Sequence, residues 1–256
     1  MTAPAEARRQ RGLLVPALFT LAGVALLIGL GAWQLERKAW KEALIDSITR
    51  RMNAAPVPLP SPARWASLDA AHDEFTGVTF RAAFENDQEA LVFAGASAML
   101  PDTSTAGYWV FTPARLSDGA RVVLNRGFVP EDNREPETRA AGLVTAPVEI
   151  VGALRWPERG LWFTPVGDLK RNLWFARDQL AIAAAKGWEN VAPFYVELEA
   201  PTPPGGLPVP GKFKLNLPNN HLQYAFTWFA LAVVLAAVFS AFARTRLRER
   251  KSPGGG

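Results

Sequence analysis

The chain has 256 residues, with 28 basic and 24 acidic side chains, two histidines and no cysteine. The absence of cysteine excludes disulfides and thiolate sites, and three scattered methionines argue against a soft copper(I) site. The positive charge is concentrated in two short tails, residues 1–12 and 244–256, so the body of the chain is slightly acidic and the composition argues against nucleic-acid binding.

Two long stretches near the ends of the chain, residues 12–35 and 222–243, contain no charged residue. A helix needs roughly 20 apolar residues to cross a bilayer core, and both stretches are long enough. They predict transmembrane helices at residues 13–35 and 218–243. A cleaved signal peptide is the alternative for the first stretch, because arginines precede it. Its apolar run is longer than the roughly 7 to 15 residues of a signal peptide, which favours a retained anchor.

The orientation of the two spans is predicted from the basic tails, residues 1–12 and 244–256. Lysine and arginine are enriched at the cytoplasmic ends of membrane helices, so both termini are predicted to be cytoplasmic. Residues 36–217 then form an extracytoplasmic domain, in the periplasm of a bacterial cell whose inner membrane holds the protein. Basic residues also flank the spans on the domain side, but a segment of this length can be translocated largely regardless of its charge.

Residues 36–52, which follow the first span, show helical periodicity. Apolar residues recur there at three- and four-residue spacing, at Trp40, Leu44, Ile45, Ile48 and Met52. This spacing predicts an amphipathic helix that continues from the span. Prolines at alternate positions from Pro56 to Pro62 predict the end of that helix and an extended connector.

Beyond the connector, short segments rich in β-branched and aromatic residues alternate with turn residues, which predicts β-strands. These segments are residues 75–84, 90–94, 108–116, 121–129, 147–154 and 195–198. Ser117-Asp118-Gly119 predicts a hairpin turn, and Asp178 and Gly187 predict the start and the end of a helix. The predicted fold is a membrane protein in which two transmembrane helices flank a mostly antiparallel β (α+β) extracytoplasmic domain.

The common catalytic signatures are missing from the sequence. It contains no G-x-S-x-G elbow, phosphate-binding loop, H-E-x-x-H or G-x-G-x-x-G, so we expect a protein that is not an enzyme. Of the two histidines, His72 lies in the polar stretch Ala71-His72-Asp73-Glu74 and is predicted to be a solvated loop residue.

His221 stands at the outer end of the second predicted span. Tyr224 and Trp228 follow it by three and seven positions, which places them on roughly the same face of a helix. An ionisable group at membrane depth is a candidate functional residue, and an imidazole beside aromatic rings could ligate a haem iron. The alternative is that all three side chains are interfacial anchors, since Trp, Tyr and His suit the headgroup level.

A similar set lies at the outer end of the first span, and it consists of Trp33, Arg37, Trp40 and Lys41. If the spans are neighbours, both sets meet at one depth and could outline a single cleft; interfacial anchoring is again the alternative. Small residues at four-residue spacing predict a close approach of the two helices. They are Ala25 and Gly29 in the first span and Ala232, Ala236 and Ser240 in the second.

Several of these segments, taken in order along the chain, resemble the surfeit-locus-one family of cytochrome oxidase assembly factors. The matching motifs are Gly31-Ala32-Trp33-Gln34-Leu35, Gly107-Tyr108-Trp109-Val110, Asn125-Arg126-Gly127-Phe128-Val129-Pro130, Pro136-Glu137-Thr138-Arg139, the stretch 172–178 with Trp174, and Asn220-His221-Leu222-Gln223-Tyr224. Val166-Gly167-Asp168-Leu169 departs from the Asn-rich, Pro-containing turn expected at that point.

The resemblance implies a two-span inner-membrane protein that assists maturation of the catalytic subunit of cytochrome c oxidase. Its expected partners are that subunit, other oxidase assembly factors and membrane lipid. The family is associated with haem a, which implies transient binding of haem a with His221 as the iron ligand and Trp33, Tyr224 and Trp228 shaping the pocket. A scaffold that stabilises the nascent oxidase subunit without haem is the second hypothesis. An independent enzyme or transporter component is the third.

Overall fold

The structure is a computed structural model that describes residues 4–94, 106–211 and 219–251. Its contacts divide the chain into two compact units: Met1–Asp46 with Asn216–Gly256, here called the helix pair, and Ser47–Leu215, the sheet domain. The described elements are α1 (Pro4–Asn53), β1 (Val57–Pro58), α2 (Ala70–Asp73), β2 (Gly77–Phe84), β3 (Ala90–Ala94), β4 (Gly107–Arg115), β5 (Arg121–Pro130), β6 (Val148–Arg155), β7 (Leu173–Trp174), α3 (Gln179–Lys186), β8 (Val191–Ala200) and α4 (His221–Lys251).

The helix pair consists of α1 and α4, which run antiparallel. A Cβ atom on Gly31 would lie 2.5 Å from the ring of Phe229, and one on Gly23 would lie 3.0 Å from Leu235. The phenylalanine ring therefore rests on the backbone of α1, where only a glycine leaves room for it. Both α1 and α4 are long and apolar enough to cross a membrane.

The predicted small-residue contact is mostly wrong. Ala232 is buried, but Ala25, Gly29, Ala236 and Ser240 are exposed. The physical reason is that residues four apart drift by about 40° per step around a helix of 3.6 residues per turn. The observed contact line follows a seven-residue spacing on α4, where Ala225 and Ala232 are the buried residues.

The sheet domain is built on a mixed sheet with the strand order β1-β2-β6-β8-β5-β4-β3-β7. An additional pairing of β2 with β4 closes five of these strands, β2, β6, β8, β5 and β4, into a small barrel. Most pairs are antiparallel, as predicted, but β1–β2, β3–β7 and β5–β8 are parallel. Strand β8 can lie parallel to β5 because a long segment that includes α3 separates them in the chain.

Apolar cores lie on both faces of this sheet. Along β5, Val122 and Leu124 belong to the core inside the barrel, and Val123 and Phe128 belong to the core on the outer face. Helix α3 contributes Ile182 to the outer core. Because both faces are covered, β5 is almost continuously apolar rather than strictly alternating.

The predicted turns and caps are confirmed. Gly119 has φ +85° in the turn that joins the antiparallel strands β4 and β5. The carboxylate of Asp178 accepts a hydrogen bond from the backbone N–H of Ala181 at 3.0 Å and caps α3, and Gly187 ends it with φ +71°. The predicted helix at residues 36–52 is also confirmed, as the last part of α1. The predicted domain boundary at residues 217 and 218 lies outside the described residues.

Candidate functional site

His221 is the first residue of α4, and its ring contacts α1. Its Nδ1 atom lies 2.7 Å from the Oε1 atom of Gln34. An amide oxygen can only accept a hydrogen bond, so Nδ1 carries the proton and donates it. In the neutral imidazole the lone pair then lies on Nε2, which is the atom available to a metal. This contact orients the ring and favours the tautomer that is protonated at Nδ1.

The other predicted site residues differ in how far their side chains are exposed. Trp228 is half-buried two turns along α4 from His221. Tyr224 is 55% exposed and Trp33 is 50% exposed, so both rings lie largely outside the interface of the helix pair. The structure thus joins His221 to α1 through Gln34, while a pocket formed by Trp33, Tyr224 and Trp228 stays a prediction.

The second predicted set, at the outer end of the first span, lies along the surface of α1. The guanidinium of Arg37 stacks over the ring of Trp40 at 4.7 Å from the ring centroid. Trp40 is itself exposed. This arrangement is typical of a solvent- or lipid-facing anchor. The other histidine, His72, is also exposed, but it lies on the short helix α2 rather than in a loop.

The sheet domain holds a buried network of charged residues that joins the connection between β2 and β3 to β5 and to the segment that follows it. Arg139, whose side chain is fully buried, donates from Nη1 to Glu89 Oε2 at 3.0 Å and from Nη2 to the other carboxylate oxygen. Arg126 donates to Asn86 Oδ1 at 2.7 Å and to the carbonyl of Gly142. Burial lowers the pKa of Arg126 to about 10. The pairing of these charges offsets the cost of removing them from water.

A second buried network lies on the outer face of β8. The amide of Asn125 donates to Glu197 Oε1 at 2.9 Å, and the side chain of Glu197 is buried. Burial raises the pKa of Glu197 to about 6, against the positive charges of Arg177 and Arg155. The hydroxyl of Tyr195 is buried beside it, and burial also raises the pKa of that group.

Gly127 shows how tightly this region is assembled. It has φ +122°, and a Cβ atom at this position would lie 2.0 Å from the carbonyl oxygen of Val209. The backbone of Phe128 exchanges two hydrogen bonds with Val209, at 2.9 and 2.8 Å. Only glycine accommodates both the positive φ and this close approach.

These networks offer charge pairs and hydrogen bonds rather than a reacting group. Across residues 4–94, 106–211 and 219–251 there is no cluster of three or more His, Asp or Glu that could hold a metal ion. The imidazole of His221 stays the predicted iron ligand.

Five residues of these contacts are not predicted from the sequence as site residues: Gln34, Glu89, Arg126, Arg139 and Glu197. The signal in the sequence is a polar or charged residue within an otherwise apolar segment. Asn125 and Arg126 interrupt the apolar run of β5, and Glu197 interrupts that of β8. Gln34 lies at the end of an uncharged stretch, where a polar side chain needs a partner.

The comparisons with known proteins cover both units. A model described as the SURF1 family matches residues 21–233, a range that includes Gln34, the whole sheet domain and His221. Surfeit locus protein 1 of Takifugu rubripes is 34% identical over 236 residues, which are 87% of this chain and 95% of the relative. The human protein of that name is 32% identical over 229 residues, 84% of this chain and 74% of the relative.

An invertebrate relative extends the comparison. The SURF1-like protein of Drosophila melanogaster is 34% identical over 244 residues, which are 90% of this chain and 78% of the relative. Matches of this length run from α1 through the sheet domain to α4, so they include every part of the chain in which a motif was recognised. The chain therefore belongs to the SURF1 family.

Proposed function

We propose that this protein is a membrane-anchored assembly factor for haem-copper cytochrome c oxidase, and that it assists maturation of the catalytic subunit. The observation that carries the proposal is the family match over residues 21–233, which runs from α1 through the sheet domain into α4. The catalytic subunit and other oxidase assembly factors are its proposed partners.

Lipid is the proposed surrounding of the helix pair. Large apolar side chains face outward along both helices, among them Leu18, Phe19, Leu21, Phe226 and Val233. Such a surface is unfavourable in water and is favourable in a bilayer, where the helical backbone is already hydrogen-bonded internally. The arginine-rich tails favour cytoplasmic termini, and the proposed location of the sheet domain is then the periplasmic side of a bacterial inner membrane.

Haem a is the proposed transient ligand, and His221 is the residue proposed to hold its iron. A histidine that ligates a metal usually donates its second ring N–H to an oxygen acceptor, which orients the ring and raises its basicity. The hydrogen bond from His221 Nδ1 to Gln34 supplies this arrangement, with Nε2 left to bind iron. Trp33, Tyr224 and Trp228 would provide the apolar walls. Haem a would itself be the group that the protein delivers to the oxidase.

A haem-independent scaffold is the second candidate function. It is favoured by the half-exposed rings of Trp33 and Tyr224, which suit anchors at the headgroup level as well as pocket walls. In this hypothesis the protein stabilises the nascent oxidase subunit in the membrane, and His221 only positions the helix ends through Gln34.

One purification separates the two functions. The full chain is expressed in a host that makes haem a, purified in mild detergent and examined by optical spectroscopy beside H221A. H72A is the matched control, because His72 is the second of the two histidines and is exposed. We expect a haem band in the wild-type protein and in H72A, and its loss in H221A.

The remaining outcomes are equally decisive. An unchanged haem band in H221A would remove His221 from the proposed role. In another outcome the wild-type protein is found without haem while oxidase assembly in the cell still requires the protein. That result would favour the scaffold. Normal oxidase activity and normal haem a content in a deletion strain would contradict both functions.

A further inference from the structure

The loop between β6 and β7 carries an exposed apolar patch that the proposed function does not use. In residues 159–171, here called the aromatic loop, Trp162 is 95% exposed and Val166 is 92% exposed, with Leu161 and Phe163 also exposed beside them. The rings of Trp162 and Phe163 contact each other edge to face, with centroids 5.4 Å apart. Single exposed apolar residues are ordinary, whereas a contiguous patch of this kind marks an interaction surface.

The backbone of the aromatic loop holds this patch in place. The N–H of Thr164 donates to the carbonyl of Leu161 at 2.9 Å and closes a tight turn around Trp162 and Phe163. At the other end, Asp168 and Leu173 exchange two backbone hydrogen bonds, at 2.7 and 3.0 Å. Backbone hydrogen bonds therefore hold the loop that carries the exposed apolar side chains.

Gly167 fixes the loop against the sheet domain. A Cβ atom there would lie 2.2 Å from the ring of Trp174 in β7, so the loop backbone packs directly on that ring. The ring of Trp174 is buried while that of Trp162 is exposed. The domain thus buries one tryptophan and exposes the other.

Positive charges lie on both sides of the apolar patch. Arg159 precedes it, Lys170 and Arg171 follow it, and all three are exposed. The loop sequence contains one acidic residue, Asp168, which lies 3.6 Å from Arg171. The loop therefore has a net positive charge around a Trp-Phe tip. Aromatic residues beside lysine and arginine are the combination that favours the headgroup region of an anionic membrane.

We propose that the aromatic loop inserts into the surface of a bilayer that contains anionic phospholipid. Leu161, Trp162 and Phe163 would lie at the boundary between headgroups and acyl chains, and Arg159 and Lys170 would contact lipid phosphates. The flanking cations favour lipid over an apolar groove on a protein, because a bilayer surface presents acyl chains and negative charge together. This inference goes beyond oxidase assembly, and it rests on the membrane anchoring of the chain but not on haem.

The absence of native cysteine makes the test site-specific. V166C places a single label in the loop and retains Trp162, and S117C places the same label in the exposed turn between β4 and β5. The full-length proteins are labelled with an environment-sensitive fluorophore and reconstituted into phosphatidylcholine vesicles with or without phosphatidylglycerol. Spin labels near the headgroups serve as quenchers, and flotation first measures incorporation.

We expect the label at residue 166 to shift to the blue and to be quenched, and the label at residue 117 to remain in water. Phosphatidylglycerol should strengthen the quenching and added salt should weaken it, because the attraction to the headgroups is screened. W162S in the V166C protein should lose most of the shift. R159Q/K170Q should abolish the difference between the two kinds of vesicle.

Three results would overturn the inference in different ways. A chain that floats while residue 166 is quenched no more than residue 117 excludes loop insertion alone. A chain that fails to float excludes both the anchoring and the insertion. A label that leaves water only when the purified oxidase catalytic subunit is added identifies a protein as the occupant.

Discussion

The sheet domain and the helix pair distribute their residues in opposite ways. In the sheet domain, Phe111, Leu124 and Phe194 are fully buried, and even charged side chains such as Arg139 are enclosed with partners. In the helix pair, Phe19 and Phe226 are exposed while Ala225 and Ala232 are buried. The first unit is organised for water outside and a packed interior. The second exposes large apolar side chains and buries small ones where the two helices are in contact.

The two units therefore differ in which contacts stabilise them. The sheet domain depends on contacts within itself, so substitutions at its buried pairs should change its free energy of unfolding directly. The helix pair has few buried side chains, and short contacts join α1 to α4. Polar contacts there should affect the orientation of particular side chains more than the folding of the whole unit.

The largest effect is expected at the buried ion pair of Arg139 and Glu89. Arg139→Met leaves the carboxylate of Glu89 buried without its partner, which costs about 3–5 kcal/mol. Urea unfolding of the purified full-length protein measures this loss. The double variant E89Q/R139M should recover part of it, because the buried carboxylate that lost its partner is also removed. E135Q, at an exposed pair with an N–O distance of 3.9 Å, should change stability by less than about 0.5 kcal/mol.

If R139M unfolds at the same urea concentration as the wild-type protein, the buried pair does not stabilise the domain. The contrast between a sheet domain that depends on buried pairs and a helix pair that exposes its apolar side chains would then lose its strongest support.

The next effect is expected at Gly127. G127A forces an unfavourable positive φ and a clash with the backbone of Val209, so we expect a loss on the order of 3 kcal/mol. Gly119 is the matched control, because it has φ +85° but open space around its Cβ position. G119A should cost about 1 kcal/mol. Equal losses in the two variants, measured by thermal unfolding, would show that the approach of Val209 is unimportant.

The third effect is a pH dependence of the stability of the sheet domain, caused by the buried carboxyl group of Glu197. Burial raises its pKa to about 6 from an ordinary 4.5, so the folded state binds the proton more tightly than the unfolded state. Its contribution to stability is therefore full below about pH 4.5 and is lost as the pH rises through about 6. One pKa unit corresponds to about 1.4 kcal/mol. From pH 4 to 7, wild-type stability should fall by up to about 2 kcal/mol relative to E197Q. Parallel pH profiles would contradict the shift.

Local patterns in the sequence predicted the elements of the sheet domain well. Asp118-Gly119 marked the hairpin of β4 and β5, and Asp178 and Gly187 marked both ends of α3, because caps and turns depend on residues near in sequence. Strand β8 was predicted too short. Pro193 interrupts its apolar pattern and cannot donate a ladder hydrogen bond, yet the strand begins at Val191.

The long-range pairings could not be predicted from such patterns. Closure of the barrel requires Phe84 to meet Ala114, and the buried ion pair requires Glu89 to meet Arg139 across 50 positions. In the candidate site, the position of His221 at the end of an uncharged stretch was informative. Its partner Gln34 lies 187 positions away and has no local signal that links the two.

The smallest effect in energy is expected at Gln34, and it tests the helix pair alone. Gln34→Leu removes the acceptor for His221 Nδ1, a hydrogen bond worth about 1 kcal/mol, which is roughly a fivefold change in the tautomer ratio. Nitrogen-15 NMR of histidine-labelled protein should show the Nδ1-protonated form in the wild type and a shift toward the Nε2-protonated form in Q34L. H72A assigns the two histidine signals. Q223L, at an exposed glutamine of α4, is the matched control and should leave the signal unchanged. A wild-type ring already protonated at Nε2 would mean that Gln34 does not present Nε2 to a ligand, and His221 would then resemble its aromatic neighbours as an anchor.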